Sequence, residues 1–427
     1  MPLAPVAVAV VVATGMALLA GQLMAQTTQP ATASVEPPPK SFVDSDTGHR
    51  VHRLSDEPDS GGLYFNFNAC TADGRDMIYT SPQGIHVLNF ATKATRLVVP
   101  APAKAVVVGH KTRRVFYTLA DNSLNAADLD TGMTQKLADM PKRGKVVTVN
   151  ADETLAAGTY IEGDGDDYGA KAVKPQGLGG PNVQPANKAQ MMEDRLAARL
   201  PLVLFTIDLR NGKVNEVLHS TDWVNHLLFS PTDPTLLMYC HEGPWHKVDR
   251  LWTIRVDGSR GPKKLHERTM AMEIWGHEFW APDGKTVWYD LQRPKGQDFI
   301  LASVDLSTNE RRWFRLTRDE WSVHFNVTAD GALMCGDGGD KGQVAKADDG
   351  KWIYLFRPQP DAITGTNDKS FVQPGVLKSE KLVNMGRQNY KAEPNVRFSP
   401  DNKLVLFTSN MFGPSFLFGV EIDKAAR

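Results

Sequence analysis

The sequence predicts an all-β chain folded as a seven-bladed β-propeller, and three observations carry that prediction. A short phrase recurs seven times, an apolar strand end, a Ser/Ala/Thr-Pro/Ala-Asp type turn and a second apolar run. Four of the six spacings between successive copies are roughly 40 to 50 residues, the spacing of propeller blades, and the other two, from 150 to 230 and from 328 to 399, are longer. The last copy lacks its fourth strand, and the opposite end of the chain carries a strand with no copy of its own.

The first three copies are Thr71-Ala72-Asp73-Gly74, Gly109-His110-Lys111 and Asn150-Ala151-Asp152. The next four are Ser230-Pro231-Thr232-Asp233, Ala281-Pro282-Asp283-Gly284, Thr328-Ala329-Asp330-Gly331 and Ser399-Pro400-Asp401-Asn402. Each leads into a period-two run such as Thr286-Val287-Trp288-Tyr289, the pattern of a strand with one buried face. Most copies continue through a third strand and an Asp-Leu-x-Thr/Asn-Gly turn into a fourth, as at Asp128 to Gly132 and Asp208 to Gly212. The seventh ends at Gly419 to Asp423. Asp46 to Leu54 is expected to pair with Phe416 to Ile422 as the missing outer strand, which closes the ring and hides its edges.

Composition narrows the class. A chain of 427 residues with 41% hydrophobic content can bury a large core, and a formal net charge of -1 argues against nucleic acid as a partner. Residues 1–25, with the apolar run Val6 to Ala20 and the small-residue end Leu23-Met24-Ala25, read as a secretory signal peptide. The run is too short for a membrane span, so the expected location is periplasmic or secreted without stable membrane insertion, although the run lacks the preceding Lys or Arg of an ordinary signal peptide. Residues 26–40 read as a flexible lead-in to a domain at 41–427. Cys70, Cys240 and Cys335 are too widely spaced for a metal or redox pair and are expected as buried thiols. An insertion at 162–200 begins with an acidic Gly-rich stretch that lacks calcium-loop spacing, and ends in a predicted helix over 187–199.

Four residues before the turn-opening residue, successive copies carry His226, His277, His324 and Asn395. Equivalent positions on innermost strands lie at one height around a propeller's channel, so these side chains are expected to converge on a divalent metal. Asn326, two residues after His324, shares its strand face and is a further candidate ligand. A second constellation runs from Cys240 through His241-Glu242-Gly243-Pro244-Trp245-His246 to Arg250. It starts where a second strand ends, so His241 is expected at the channel mouth beside the histidines. Trp245 is read as a sugar platform or as loop packing. Gln388, Asn389 and Tyr390 precede the last innermost strand and are read as substrate contacts.

The stretch Asn225 to Trp252, with Gly276-His277-Glu278-Phe279-Trp280, resembles the oligogalacturonate lyases of polysaccharide lyase family 22, and the resemblance runs from about His49 to the C-terminus. It implies a seven-bladed propeller that cleaves pectic oligosaccharides by β-elimination with a manganese ion. Carried over, it makes His241 the base and His277 and His324 metal ligands, with Arg250 as candidate for a family arginine near the base. Two family ligands beside His324 are replaced here by Trp321 and Asn326, so either His226, Asn326 or Asn395 completes the metal sphere or metal binding is altered. Two other classes stay open on the residues themselves, a noncatalytic glycan-binding propeller and a metal-dependent hydrolase.

Overall fold

The computed structural model describes residues 37–163, 188–361 and 371–425. The predicted signal peptide, most of the lead-in and the acidic part of the insertion lie outside these residues. Among the described residues the chain is built almost wholly of strands, with one α-helix at Lys188–Ala198, where the sequence places one. No described helix is long and apolar enough to cross a membrane.

The strands form six sheets of antiparallel, sequence-consecutive units. Typical is Trp223–Phe229, Leu236–Glu242, Leu251–Arg255 and Lys263–Lys264, in which each strand pairs with the next. The predicted turns join the first two strands. In several of them the residue closing the turn has positive φ, 68° at Gly74, 67° at Gly284, 69° at Gly331 and 58° at Asn402, which is why Gly or Asn recurs there. The turn's Asp accepts a hydrogen bond from the opening hydroxyl, Thr71 to Asp73 at 2.6 Å, Thr328 to Asp330 at 2.6 Å and Ser399 to Asp401 at 2.6 Å. In the first unit only an isolated bridge, Cys70 with Met77, stands where a first strand is expected.

His49–Arg53 pairs with the last strand, Phe416–Lys424, with Val51 opposite Val420 and Arg53 opposite Phe418. The two ends of the chain therefore share one sheet. One expectation needs amending, since Ser41–Val43 pairs outside His49–Arg53 and the N-terminal segment contributes a hairpin, not a single strand. A second feature escaped the repeat pattern. The long strands Trp352–Pro360 and Val372–Asn384 reach past their own unit, and Val372–Val376 runs parallel to Arg311–Arg315 of the preceding one, fusing two units into eight strands.

Apolar faces of adjacent units supply the core. Tyr239, Leu237 and Phe229 pack on Leu202 and Leu204, whereas Met238, Leu228 and Leu251 on the other face pack on Trp275, Tyr289 and Leu291. The alternation along Leu236–Glu242 thus directs each side chain to one neighbour or the other. Cys240 and Cys335 are buried and Cys70 partly so, and all three are free thiols.

Candidate active site

The register that groups His226, His277, His324 and Asn395 coincides with a backbone device. His226, His277 and Asn395 have φ of 49°, 47° and 56°, a conformation uncommon outside glycine. The ladders of the first two strands slip at these points, between Asn225 and Leu228 and between Gly276 and Phe279. A bulge re-aims one side chain out of the strand's alternation. Non-glycine residues in this region cost of order 1–3 kcal/mol each, a cost met where a site requires it.

His277 and His324 meet, with ring centroids 5.1 Å apart and planes at 79°. Each is fixed by a buried carboxylate. Asp290 Oδ2 lies 3.2 Å from His277 Nδ1. Asp337 is wholly buried and accepts from His324 Nδ1 at 2.7 Å, His324 N at 2.9 Å, Val323 N at 3.2 Å and Asn395 N at 3.3 Å. Burial opposes a charge on His324, but the Asp337 carboxylate, aided by Glu393 and Asp290, lifts its affinity for a proton above that of an ordinary histidine. The remaining nitrogen, His324 Nε2, is buried without a hydrogen-bond partner and lies 3.7 Å from Glu393. A buried imidazole with one nitrogen clamped by carboxylate and the other left open is the arrangement of a metal ligand with its supporting shell.

His226 stands farther off. Tyr64 lies between it and His324, with centroids 6.1 Å from His226 and 5.2 Å from His324. Burial, then Glu393 and Glu278, keeps the Tyr64 phenol protonated well above its usual range. His226 Nε2 faces Glu242 Oε2 at 3.2 Å. His226, Cys240 and Glu242 also bring donor atoms within 4.8 Å of one another. Arg250 already occupies that trio, at 2.7 Å from Glu242 and 3.6 Å from Cys240 Sγ, so it is a poor place for a second cation.

Several predicted site residues are placed otherwise than expected. Arg250 is 1% exposed and spans Glu242 at 2.7 Å and Glu278 at 3.1 Å, with Trp245 over its guanidinium at 4.3 Å. It is an internal ion-pair hub with no face left for substrate. Against burial, Arg250 and then His226 hold Glu242 ionised far below the usual carboxylate range. Asn326 is separated from the histidines and lines a cavity at the other end of its strand, its Oδ1 accepting from Phe398 N at 3.4 Å. The Asn395 amide is committed to the backbone, donating to Glu393 O at 2.9 Å and accepting from Phe65 N at 3.2 Å. Gln388 is buried and holds Ala392 O, Ser409 Oγ and Asn410 N. Tyr390 is buried and donates to Asp337 O at 2.9 Å, so it supports the His324 clamp from behind. Asn389 is exposed. Trp245 packs edge-on against His277 at 5.2 Å, over Gly276, where a Cβ would come within 2.4 Å of the indole.

His241 lies on the other face of its strand from Glu242, the carboxylate that meets His226. Alternation along its strand turns it away from Cys240 and Glu242, toward Tyr239 and Trp252, with centroids at 5.6 Å and 5.0 Å. Its Nδ1 is 3.7 Å from Asp222, which also binds Arg199 just past the insertion's helix. Burial lowers the proton affinity of His241, with Asp222 and Asp249 opposing that effect. The carboxylates Asp290 and Asp337 and the cation Arg199 were not anticipated. A signal for the first two existed: Asp290 follows Ala281, and Asp337 follows Thr328, by the same 9 residues.

An all-β array of consecutive four-stranded units, with clamped histidines at the start of its first strands, defines a propeller-type protein with a polar site at one end. The profile of the oligogalacturonate lyase family matches residues 40–426, and the chain belongs to that family. It is 32% identical over 229 residues to an oligogalacturonate lyase of Dickeya dadantii, covering 52% of this chain and 56% of that one. It is 31% identical over 233 residues to an oligogalacturonide lyase of Pectobacterium atrosepticum, covering 52% and 56%. The matched region thus spans about half the length of these curated relatives. Among solved structures, an oligogalacturonate lyase in complex with manganese superposes with TM-score 0.71 at 22% identity, over 90% of this chain and 96% of that one. An oligogalacturonate lyase from Vibrio parahaemolyticus does so with TM-score 0.71 at 22% identity, over 91% and 97%. These likenesses establish the fold.

Proposed function

We propose that this chain is a lyase that cleaves oligogalacturonides by β-elimination at the His277–His324 end of a seven-bladed propeller, whose ring the N-terminal hairpin closes. The observation that carries the reading is the open, buried Nε2 of His324 beside His277, each ring held through its other nitrogen by a buried aspartate. His277 and His324 would hold a divalent ion, manganese by analogy with the solved relative that contains it, and His226, across Tyr64 from His324, is a further imidazole at that end. When bound, such an ion supplies Lewis-acid polarisation of a uronate carboxylate.

The protein's own groups do the rest. Asp290 and Asp337 fix the tautomer and aim of the two ligands. In the elimination, a base takes the proton on C5, α to the carboxylate, as the C4–O bond breaks and a double bond forms between C4 and C5. Family correspondence assigns that proton to His241, and its burial supports the assignment because a neutral imidazole is ready to accept at neutral pH. Arg199, with a side chain 56% exposed beside His241 and Asp222, is better placed than the sealed Arg250 to meet an acidic sugar.

The His226–Glu242 pair favours a second assignment of the base, since an imidazole oriented by a carboxylate and 29% exposed stands across Tyr64 from His324. The activity itself is tested by incubating purified protein and manganese with oligogalacturonides and following ultraviolet absorbance. Elimination creates an absorbing unsaturated uronate. Cleavage without new absorbance indicates hydrolysis, and no cleavage with tight sugar binding indicates a glycan-binding propeller.

A further inference from the structure

The first strands that carry the histidines at one end open at the other end onto a cavity of about 540 Å³. Phe65 separates the two, stacking on His324 at 4.6 Å while lining the cavity. Its volume falls within the ~300–1,000 Å³ of small-molecule sites. The polar lining includes Arg397, His110, Asn66, Asn326, Thr148 and Thr328, and no Asp or Glu takes part.

Arg397 is the unusual member. It is 7% exposed, and three of its N–H groups go to main-chain oxygens, those of Phe67 at 2.8 Å, Leu63 at 2.6 Å and Tyr64 at 2.8 Å. Carbonyls solvate a guanidinium without neutralising it. Its surroundings confirm the lack of a counter-charge, since burial depresses its proton affinity and the groups that oppose this are the thiols of Cys70 and Cys335. Burial pushes the Cys70 thiol up to about 11, so it carries no charge at neutral pH. A buried cation without a carboxylate is costly unless an anion completes it. Nearby, Asn66 donates to Glu278 O at 2.9 Å, which fixes its amide, and leaves Oδ1 buried without a donor. A cation in want of an anion thus lines the cavity, with the fixed amide of Asn66 beside it.

We infer that this cavity is a second binding site, for a small polyhydroxy carboxylate of the size of one uronic acid, its carboxylate directed to Arg397. The site involves none of the residues of the proposed lyase centre. The two can therefore fail separately.

The test is calorimetric titration of the His277→Ala chain, in which the lyase centre is disabled, with D-galacturonate, D-galactose and inorganic phosphate. Galacturonate should bind at one site, galactose should not, and phosphate should bind at least about tenfold more weakly than the sugar acid. Arg397→Gln should weaken galacturonate about tenfold or more, and so should Ala329→Trp, which plugs the cavity from an exposed turn position. In the parent background Ala329→Trp should leave elimination unchanged. Equal binding of galactose shows that no cation is being read, equal binding of phosphate shows an inorganic-anion site, and absent galacturonate binding or indifference to Ala329→Trp removes the site. Each of these overturns the inference. If Arg397→Gln does not fold, Ala329→Trp with the three ligands decides alone.

Discussion

The two ends of the first strands are built from opposite electrostatics. At one end His226, His277 and His324 are surrounded by Glu242, Glu278, Asp290, Asp337 and Glu393, and the sealed cation Arg250 is divided between two of those acids. At the other end a buried arginine sits among carbonyls, amides and hydroxyls, and among the described residues no acid lines its cavity. Both ends use the same strands only a few residues apart, His226 at one and Leu228 and Phe229 at the other. The fold therefore fixes positions, and the residues placed there decide which charge a site accepts. The acidic end orients imidazoles and attracts a cation, whereas the other end asks for an anion.

The hardest blow to this contrast comes from the acidic end. His324→Ala or His277→Ala should remove bound manganese and elimination together, measured as metal content after gel filtration and as ultraviolet product. Asp337→Asn should keep the metal site but weaken it about 10–100-fold, the usual effect of losing a ligand's orienting carboxylate. Full metal occupancy and turnover in His324→Ala would place the ion elsewhere, with His226, Cys240 and Glu242 the next place to look.

How far the sequence led is itself explained by repetition. A position counted back from each turn named His226, His277, His324 and Asn395, because a repeat turns sequence offset into spatial register, and three of the four adopt the same left-handed backbone. The pairing of the chain ends was legible because each end lacked what the other had. What stayed hidden depended on side-chain direction beyond the register. Arg250 and Gln388 look like substrate contacts in a list of residues, yet each satisfies buried partners of its own chain. Asn326 shares a strand face with His324, but two residues of strand carry it past Phe65 into the other cavity. His241 shares a segment with Glu242, and one residue of strand sends the two to opposite faces.

A smaller effect tests the sealed cation of the acidic end. Arg250→Met fills similar space but leaves Glu242 and Glu278 buried without their partner. Losing one member of such a buried network costs about 3–5 kcal/mol, measured by denaturant unfolding of the full chain. Metal content should survive, because neither carboxylate orients His277 or His324 in the structure. Unchanged stability would mean that the pair is worth no more than the apolar contact that replaces it.

The finest distinction lies between His241 and His226 as the base. Burial lowers the folded-state proton affinity of His241, so its neutral form persists to a pH below the ordinary histidine value of about 6.5. The sign for stability follows. The unfolded chain takes up that proton first as pH falls, so the contribution of neutral His241 is present above about 6.5 and is lost as pH falls through the folded value. If His241 is the base, the rate should hold through neutrality and decline only below about pH 6.5, and His241→Ala should abolish elimination while metal content and melting temperature barely change. His226→Ala should then retain most turnover, because the contact of His226 with Glu242 would take no part in the proton transfer. Abolished elimination in His226→Ala with full metal, alongside near-normal turnover in His241→Ala, would transfer the proton to the His226–Glu242 pair and show that the structure's own clustering, not the family correspondence, locates the chemistry.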